Sequence, residues 1–132
     1  MATLHLRRKV ISDPCEPGLG PLMIRYFLLR TRWFSVYLHH FLRSDFDRCF
    51  HDHPWSFVTV LLTDGYYEHT PAGTFWRRRF SILHRPAVWQ HWVEIRKPVW
   101  TLIIVSRKCR EWGFITKRGW VDWQTFDKQG CE

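Results

Sequence analysis

The sequence predicts a single all-β domain, a barrel or sandwich built from short strands. The first observation behind this prediction is that strand-like runs return at short intervals after residue 44, with turn residues such as Asp64 and Gly65 between them. The second is the length of 132 residues, which is close to the usual size of one domain. The third is a composition of 45% hydrophobic and 17% aromatic residues, which supplies enough apolar volume for one core.

Residues 1–21 are predicted to form an irregular N-terminal arm that leads into a barrel domain at 22–132. Glycine and proline interrupt regular structure, and this segment contains both at high density. They are Pro14, Pro17, Gly18, Gly20 and Pro21. We therefore expect an irregular arm, which could cover one end of the barrel.

Residues 22–42 are strongly apolar, with interspersed arginines. In the second half, side-chain character alternates with the period of two that is typical of a strand, so His40 could share the inward face with Val36 and Leu38. The first half, to about Trp33, could instead be a short helix. Because the arginines interrupt the run, no segment reaches the ~20 apolar residues that a membrane span needs, and we expect a soluble protein.

Beyond Ser44 the sequence predicts a series of short strands. The segments between them have the composition of turns, with Asp64 and Gly65 as a strong hairpin signal and with breakers at 71–73 and 96–98. The predicted strands are 48–53, 55–62, 66–69, 74–80, 90–95, 99–106 and 112–116.

Positive charge dominates the chain, because 20 Lys and Arg stand against 12 Asp and Glu and give a formal net charge of +8. Such an excess attracts anions, including metabolites with phosphate or carboxylate groups, nucleic acid and acidic proteins. Basic residues are spread along the chain, so we favour an anionic small molecule over nucleic acid. The run Arg77 to Arg79 is interpreted as a solvated edge strand, with an anion clamp as the alternative.

The four cysteines, Cys15, Cys49, Cys109 and Cys131, show no CxxC spacing, and no apolar leader precedes them. These features favour a reduced, cytoplasmic protein. Cys49 shares the strand parity of His51, but we expect it to be a small buried residue and not a nucleophile. A homodimer is compatible with the surplus of aromatic residues, although nothing in the sequence requires one.

Three histidines stand out by their spacing. His51 and His53 lie two apart in a segment that is predicted to be extended, and residues i and i+2 of a strand point to the same face. His91 opens another alternating run and is the candidate for a third nitrogen ligand. Neutral imidazole binds zinc, iron, copper, nickel and manganese. The sequence therefore predicts a metal site at these three residues.

At this point the sequence resembles the cupin superfamily, whose members are double-stranded β-helix, or jelly-roll, barrels. Their first motif is HxH, then Glu after three or four residues, then Gly six further on. His51 and His53 match the HxH, and Gly65 stands at the place of the glycine. Phe57 and Val58 occupy the two possible glutamate positions, so the usual carboxylate ligand is missing.

The second cupin motif has the form PxGxxH. Pro86 and His91 match its first and last residues, while Val88 replaces the glycine. The resemblance covers roughly residues 34–106, and it implies that His91 completes the ligand set begun in the first motif.

The missing carboxylate matters because three neutral histidines leave the full +2 charge of a divalent ion, which favours an anionic substrate. All-histidine cupins that resemble this pattern include the thiol dioxygenases, which use ferrous iron. The resemblance thus implies an iron-dependent dioxygenase, an oxidoreductase, with zinc, manganese or nickel as other candidate ions.

A fourth, carboxylate ligand could come from Asp47, which has the strand parity of His51 and His53, or less favourably from Glu68, which follows the hairpin turn. A solvent-exposed position in a loop is an equally good interpretation of Asp47. We expect Asp52, between the two histidines, to face outward and to form hydrogen bonds either at the surface or behind the metal ligands.

Other functions stay open at this stage. The chain could be a metal-dependent or metal-free isomerase or epimerase, in which Tyr66 acts as the acid, with Tyr37 and Tyr67 as further candidates. Tyr66 and Asp47 are therefore the candidate catalytic residues. The chain could also be a non-catalytic module that binds an anionic metabolite, a sugar or nucleic acid.

The remaining histidines are interpreted as structural, as are the aromatic residues near the C terminus. These are His39, His40, His69 and His84, and Trp112, Phe114, Trp120 and Trp123.

Overall fold

The structure is a computed structural model and describes residues 7–12, 18, 20–44 and 49–129. This part of the chain contains eleven strands and one short helix. The strands are β1 (Arg8–Ser12), β2 (Pro21–Arg30), β3 (Phe34–Phe41), β4 (Phe57–Leu61), β5 (Gly65–Thr70), β6 (Gly73–Arg78), β7 (Ile82–Arg85), β8 (Trp92–Glu94), β9 (Val99–Ser106), β10 (Gly113–Thr116) and β11 (Gly119–Asp122), and the helix is α1 (Trp123–Gln129). The predicted all-β class is confirmed.

The strands form three antiparallel sheets. The largest has six strands in the order β1-β2-β3-β9-β4-β7, a second has the order β6-β5-β8, and β10 pairs with β11. Isolated bridges from His51 to His91 and to Phe114 join the two smaller sheets along one edge. Residue 51 thus lies where two layers of structure meet.

One face of the six-stranded sheet carries a core. Alternation along β3, β4 and β9 sends every second side chain inward; these residues are buried in β4 and β9 and at Tyr37 and His39 of β3. Tyr37, Phe57, Ile103 and Val105 form one cluster on this face. A second cluster, of Leu61, Tyr66 and Val93, connects β4 to the three-stranded sheet. The second sheet therefore covers one end of the first.

Residues 22–33 do not form the helix that we considered. Residues 22–30 belong to β2, which hydrogen-bonds to β1 on one side and to β3 on the other, and residues 31–33 connect β2 to β3. Pairing on both edges satisfies the backbone groups of β2 within the sheet, so local apolar content does not decide its structure. The arm also differs from the expectation of irregular structure, because residues 8–12 form β1.

Besides β1, the sequence does not predict the two short strands β7 and β11 or the helix α1. The helix has a recognisable start, since Asp122 Oδ1 accepts the backbone N–H groups of Gln124 and Thr125 at 3.1 and 3.2 Å. An Asp at this position is a typical N-cap, so this signal was present in the sequence.

The face assignment of β3 is reversed relative to our expectation. His39 is 4% exposed and Tyr37 is 7% exposed on the inner face, whereas Val36, Leu38 and His40 lie on the other side. The alternation was predicted correctly, but both faces are apolar, so the pattern does not identify the inner one.

Cys49 is disulfide-bonded and packs beside Phe114 and Phe126. The expectation of a fully reduced set of cysteines is therefore not met in this structure. Cys109 is exposed and free. In the described part of the chain, no helix combines the length and apolar content that crossing a membrane requires.

Candidate metal centre

The segment at 51–53 is held between two neighbours. His51 and His91 exchange backbone hydrogen bonds, with N···O distances of 3.0 and 3.1 Å, and His53 N donates to Ala87 O at 3.0 Å. We expected a strand at 48–53, but in the described part, from residue 49, the segment is extended with bridges at His51 alone. These bonds nevertheless align the two histidines with the start of β8.

His51, His53 and His91 converge as the sequence predicted. One ring nitrogen from each lies within 4.8 Å of the others, so the three form a cluster that could hold a metal ion. The ring centroids are 4.9 to 5.2 Å apart and the rings are steeply inclined to one another. The three rings therefore do not stack face to face, and one nitrogen of each lies close to the other two rings.

Burial keeps these imidazoles neutral. It lowers the pKa of His51 to about 4, against the opposing effect of Asp52. Burial also lowers the pKa of His91 to about 4, although its hydrogen bond to Glu68 acts in the other direction. For His53, burial and then the proximity of the other two histidines hold the pKa well below its ordinary value. Neutral imidazole is the form that binds metal.

Glu68 orients His91. The carboxylate is fully buried, and its Oε2 lies 2.7 Å from His91 Nδ1. Burial raises the pKa of Glu68, but the hydrogen bonds from His91 and Arg85 outweigh it and hold the pKa far below the ordinary value. Because an ionised carboxylate only accepts hydrogen bonds, Nδ1 must carry the proton and Nε2 the lone pair. A carboxylate behind a ligating imidazole is a common arrangement at metal sites.

Further partners occupy the rest of the Glu68 carboxylate. Arg85 donates to both oxygens, at 2.7 and 3.3 Å, while Arg77 and Trp89 donate at 3.0 Å. Glu68 is therefore a positioning residue and not the fourth ligand that we considered. Arg77 is also committed to this network. Its strand, β6, is an edge strand, as predicted, and an anion clamp in the run Arg77 to Arg79 stays a prediction.

The sequence left Arg85 and Trp89 unrecognised. The available signal was Glu68 itself, because an acidic residue with the inward parity of Tyr66 needs donors close by. The inner face of the large sheet contains another buried histidine, which accepts a hydrogen bond: Arg25 Nε donates to His39 Nε2 at 3.0 Å.

The chemistry of the pocket fits a metal ion. His53 Nδ1 is buried and has no hydrogen-bond partner among the described residues, which is uncommon for a structural histidine. Aromatic rings form the walls: Phe57 lies 4.5 Å from His53, and Trp112 lies 6.3 Å from His51, centroid to centroid. Phe57, at a glutamate position of the cupin motif, thus lines the site without supplying a ligand.

Asp52 forms hydrogen bonds behind the two histidines, which is one of its two expected roles, but it is buried and does not lie at the surface. It is 3% exposed, accepts from Gly113 N at 2.8 Å and from Trp120 Nε1 at 2.9 Å, and pairs with Arg110 at 2.8 Å. The physical reason is that the hairpin of β10 and β11 covers the side of the segment opposite to His51 and His53.

The two candidate catalytic residues remain predictions. Asp47 lies outside the described residues. Tyr66 is buried with Leu61 and Val93, and its ring packs edge-on against Phe41 at 6.3 Å. Burial, and then the charge of Glu68, raise the pKa of Tyr66 far above its ordinary value.

Two other histidines have structural surroundings. His69 bonds to Glu94 at 2.8 Å and stacks on Trp92 with centroids 3.7 Å apart. His40 stacks on Trp100 at 3.9 Å. The C-terminal aromatic residues pack beside the metal centre, where Trp112 stacks on Trp123 and Phe114 on Phe126.

No protein family and no curated protein matches the sequence. Solved structures do resemble the fold. A cupin domain from Bordetella pertussis Tohama I shares 18% identity and a TM-score of 0.51 over 64% of this chain and 93% of its own. The polyketide cyclase RemF from Streptomyces resistomycificus shares 13% identity and a TM-score of 0.62 over 80% and 79% of the two chains.

Fe(II) HppE is a further structural neighbour, with 8% identity and a TM-score of 0.54 over 65% of this chain and 50% of that one. At these identities the likeness concerns the fold alone. The chain has the cupin fold, a double-stranded β-helix, as the two motifs predicted.

Proposed function

We propose that this chain is a metal-dependent cupin enzyme that acts on an anionic small molecule. The observation that carries the proposal is the cluster of three neutral, largely buried imidazoles whose nitrogens lie within 4.8 Å of one another. The alignment of His91 by Glu68 supports it, because such a contact fixes the tautomer that a metal ligand requires.

The charge of the site supports an anionic substrate. No carboxylate joins the three histidines in the described cluster, so a divalent ion there would keep its full charge and attract an anionic group. Arg25 adds to this, since it lies on the inner face with His39 as its hydrogen-bond partner and has no carboxylate partner among the described residues. The net charge of +8 favours the approach of such a substrate.

We favour iron-dependent dioxygenase chemistry. Ferrous iron bound there would leave positions for a substrate and dioxygen, and the likeness in fold to Fe(II) HppE supports this choice of metal. The roles of the chain's own residues follow from their contacts. Glu68 holds the proton on His91 Nδ1, and Phe57 and Trp112 exclude water from one side of the histidines. Tyr66 remains the candidate acid.

Non-redox chemistry is the second candidate, favoured by the likeness to a polyketide cyclase. With zinc or manganese in the same site, the ion would polarise a carbonyl group, and the enzyme would be a cyclase or an isomerase. The identity of the ion therefore separates the two functions.

Metal loading tests the proposal. We expect about one ion per chain after anaerobic incubation with Fe(II), Mn(II) or Zn(II) and gel filtration, measured by elemental mass spectrometry. His53→Ala should lose at least nine-tenths of the bound metal. His69→Ala is the matched control, because His69 bonds to Glu94 and stacks on Trp92 away from the cluster, and it should load like the wild type. Equal metal content in all three proteins would overturn the proposal.

A spectroscopic probe separates the enzyme from a module with a structural ion. Nitric oxide binds ferrous iron where a position is open and gives a characteristic paramagnetic signal. We expect that signal from the Fe(II)-loaded wild type, whereas its absence from a fully loaded protein would indicate a closed, non-catalytic site.

A further inference from the structure

The outer side of the six-stranded sheet is apolar at its centre. Residues directly opposite each other on neighbouring strands point to the same face, so the strand registers define this surface. We call it the outer apolar face, and its central residues are Val36 and Leu38 on β3, Leu102 and Ile104 on β9, and Val58 and Val60 on β4.

This surface is unusual for a sheet that faces water. An antiparallel sheet with one solvated side normally alternates apolar and polar residues, whereas β3, β9 and β4 place no Asp, Glu, Lys or Arg on either face. The opposite face already carries the core, since Tyr37, Ile103 and Phe57 are at most 7% exposed there. The outer apolar face is therefore a second apolar surface, with Ile104 at 39% exposure and Ile82, on the adjoining β7, at 71%.

The dimensions of the face match a dimer interface. The five adjacent strands β2, β3, β9, β4 and β7 contain 10, 8, 8, 5 and 4 residues, which extend about 3.3 Å each, and neighbouring strands are about 4.8 Å apart. The resulting area of roughly 550 Å² per chain would bury about 1,100 Å² in a pair, which exceeds the roughly 1,000 Å² that a specific protein interface needs.

The lack of charge on the central strands permits a second copy of the chain as the occupant and disfavours a polyanion or an anionic membrane. Two copies with a net charge of +8 repel each other over most of their surface, but the central strands of this face contribute nothing to that repulsion. A polyanion or an anionic membrane would need basic residues within its contact area, and the central strands have none. The face also contains both a shallow recess, lined by Phe34, Val58 and Ile104, and the projecting Ile82.

We propose that the outer apolar face is the interface of a homodimer, in which two six-stranded sheets pack back to back about a twofold axis. An isologous interface needs a self-complementary surface, and an uncharged apolar face with a recess and projecting side chains meets that need. Aligned sheets pack about 10 Å apart, so the outer side chains of the two copies would interdigitate.

Mass measurement in solution tests the proposal. Light scattering and sedimentation equilibrium should give the wild type twice the chain mass of 16.2 kDa. Ile104→Lys should weaken dimerisation at least tenfold. Val88→Lys is the matched control, because Val88 is 62% exposed in a loop outside this face and the charge change is the same. If Ile104→Lys fails to fold by circular dichroism, Ile82→Lys replaces it, since that side chain projects into solvent.

Salt dependence and vesicle binding separate the other occupants. Added NaCl should strengthen the dimer, because it screens the repulsion between two positive chains. Association that weakens steeply with salt would indicate a co-purifying polyanion and would overturn the proposal. So would a wild-type monomer at micromolar concentration, an Ile104→Lys dimer as tight as the wild type, or a monomer that floats with phosphatidylcholine vesicles.

Discussion

At the scale of single residues, one buried carboxylate organises the candidate metal centre. Glu68 stands between His91 and the two arginines Arg77 and Arg85, at distances of 2.7 to 3.0 Å. The glutamate of the cupin motif is replaced by Phe57, whose ring lies against His53. The carboxylate of Glu68 is thus close to the site, but it hydrogen-bonds to His91 and is not itself a ligand. The ligands that we assign to a metal are therefore the three histidine nitrogens alone.

Replacing Glu68 tests this role. Glu68→Gln removes the charge behind His91 and leaves Arg77 and Arg85 without a carboxylate. We expect the metal Kd to rise 10- to 100-fold, as for other carboxylates behind ligating histidines. Stability should fall by about 3 kcal/mol, because a buried ion pair is broken. Metal titration calorimetry and thermal unfolding measure the two effects.

Glu94→Gln serves as the control for that variant, since Glu94 bonds to His69 in the same manner on the outside of the sheet. It should leave the metal Kd within twofold of the wild type. A Kd for Glu68→Gln that is equally unchanged would contradict the positioning role.

At the scale of elements, the hairpin of β10 and β11 holds the segment with His51 and His53. Asp52 joins the hairpin through Gly113 N and Trp120 Nε1, and Arg110 pairs with the same carboxylate and donates to His53 O at 3.3 Å. The geometry of the two histidines therefore depends on a contact between residues 61 positions apart in the chain.

Asp52→Ala should affect both the hairpin and the metal. We expect a loss of about 3 kcal/mol in unfolding free energy, because Arg110 loses its buried partner, and a weaker metal site, because the segment loses its anchor. The comparison is Asp122→Ala, which removes the N-cap of α1. That variant should lose less stability and keep the wild-type metal affinity. Urea unfolding and metal titration distinguish these outcomes, and unaltered metal binding in Asp52→Ala would show that the hairpin does not position the histidines.

At the scale of the whole molecule, the interior contains several histidines that stay neutral. Burial lowers the pKa of His51 and of His91 to about 4, and it lowers the pKa of His39 and of His53 well below 6.5. Unfolding returns these groups to an ordinary pKa of about 6.5. Between pH 6.5 and 4 the unfolded chain therefore binds more protons than the folded chain. The free energy of unfolding consequently decreases as the pH is lowered through this range.

We accordingly expect the metal-free protein to be most stable above pH 6.5 and to lose stability progressively down to pH 4. Glu68 extends this loss of stability to lower pH because its pKa in the folded chain lies below the ordinary value of 4.5. Below pH 4.5 its carboxylate is protonated in the unfolded chain but still ionised in the folded chain. Urea unfolding midpoints at pH 7.5, 6.0 and 5.0 measure this dependence. His39→Gln should reduce the proton uptake on unfolding at pH 5.5 by roughly one. A midpoint that does not change between pH 7.5 and 5.0 would rule out buried neutral histidines.

Much of the metal centre could be predicted from the sequence because its information is local. The spacing of His51 and His53 needs only an extended backbone to place both rings on one side, and the motif that ends at His91 supplies the third ring. The Asp64–Gly65 turn and the alternation along β3 and β9 likewise depend on neighbours in the chain, so the all-β class followed from them.

What only the tertiary structure decided concerns contacts between distant residues. The choice of Glu68 as partner of His91, and not as a ligand, depends on Arg77, Arg85 and Trp89, which three separate segments bring to one carboxylate. The inner face of β3 could not be identified from its sequence, because a period of two gives alternation but no direction when both sides are apolar. The sequence by itself determined the all-β class and the three histidines, since each depends on spacing along the chain. The pairing of strands determined the rest, because it decides which side chains are enclosed together.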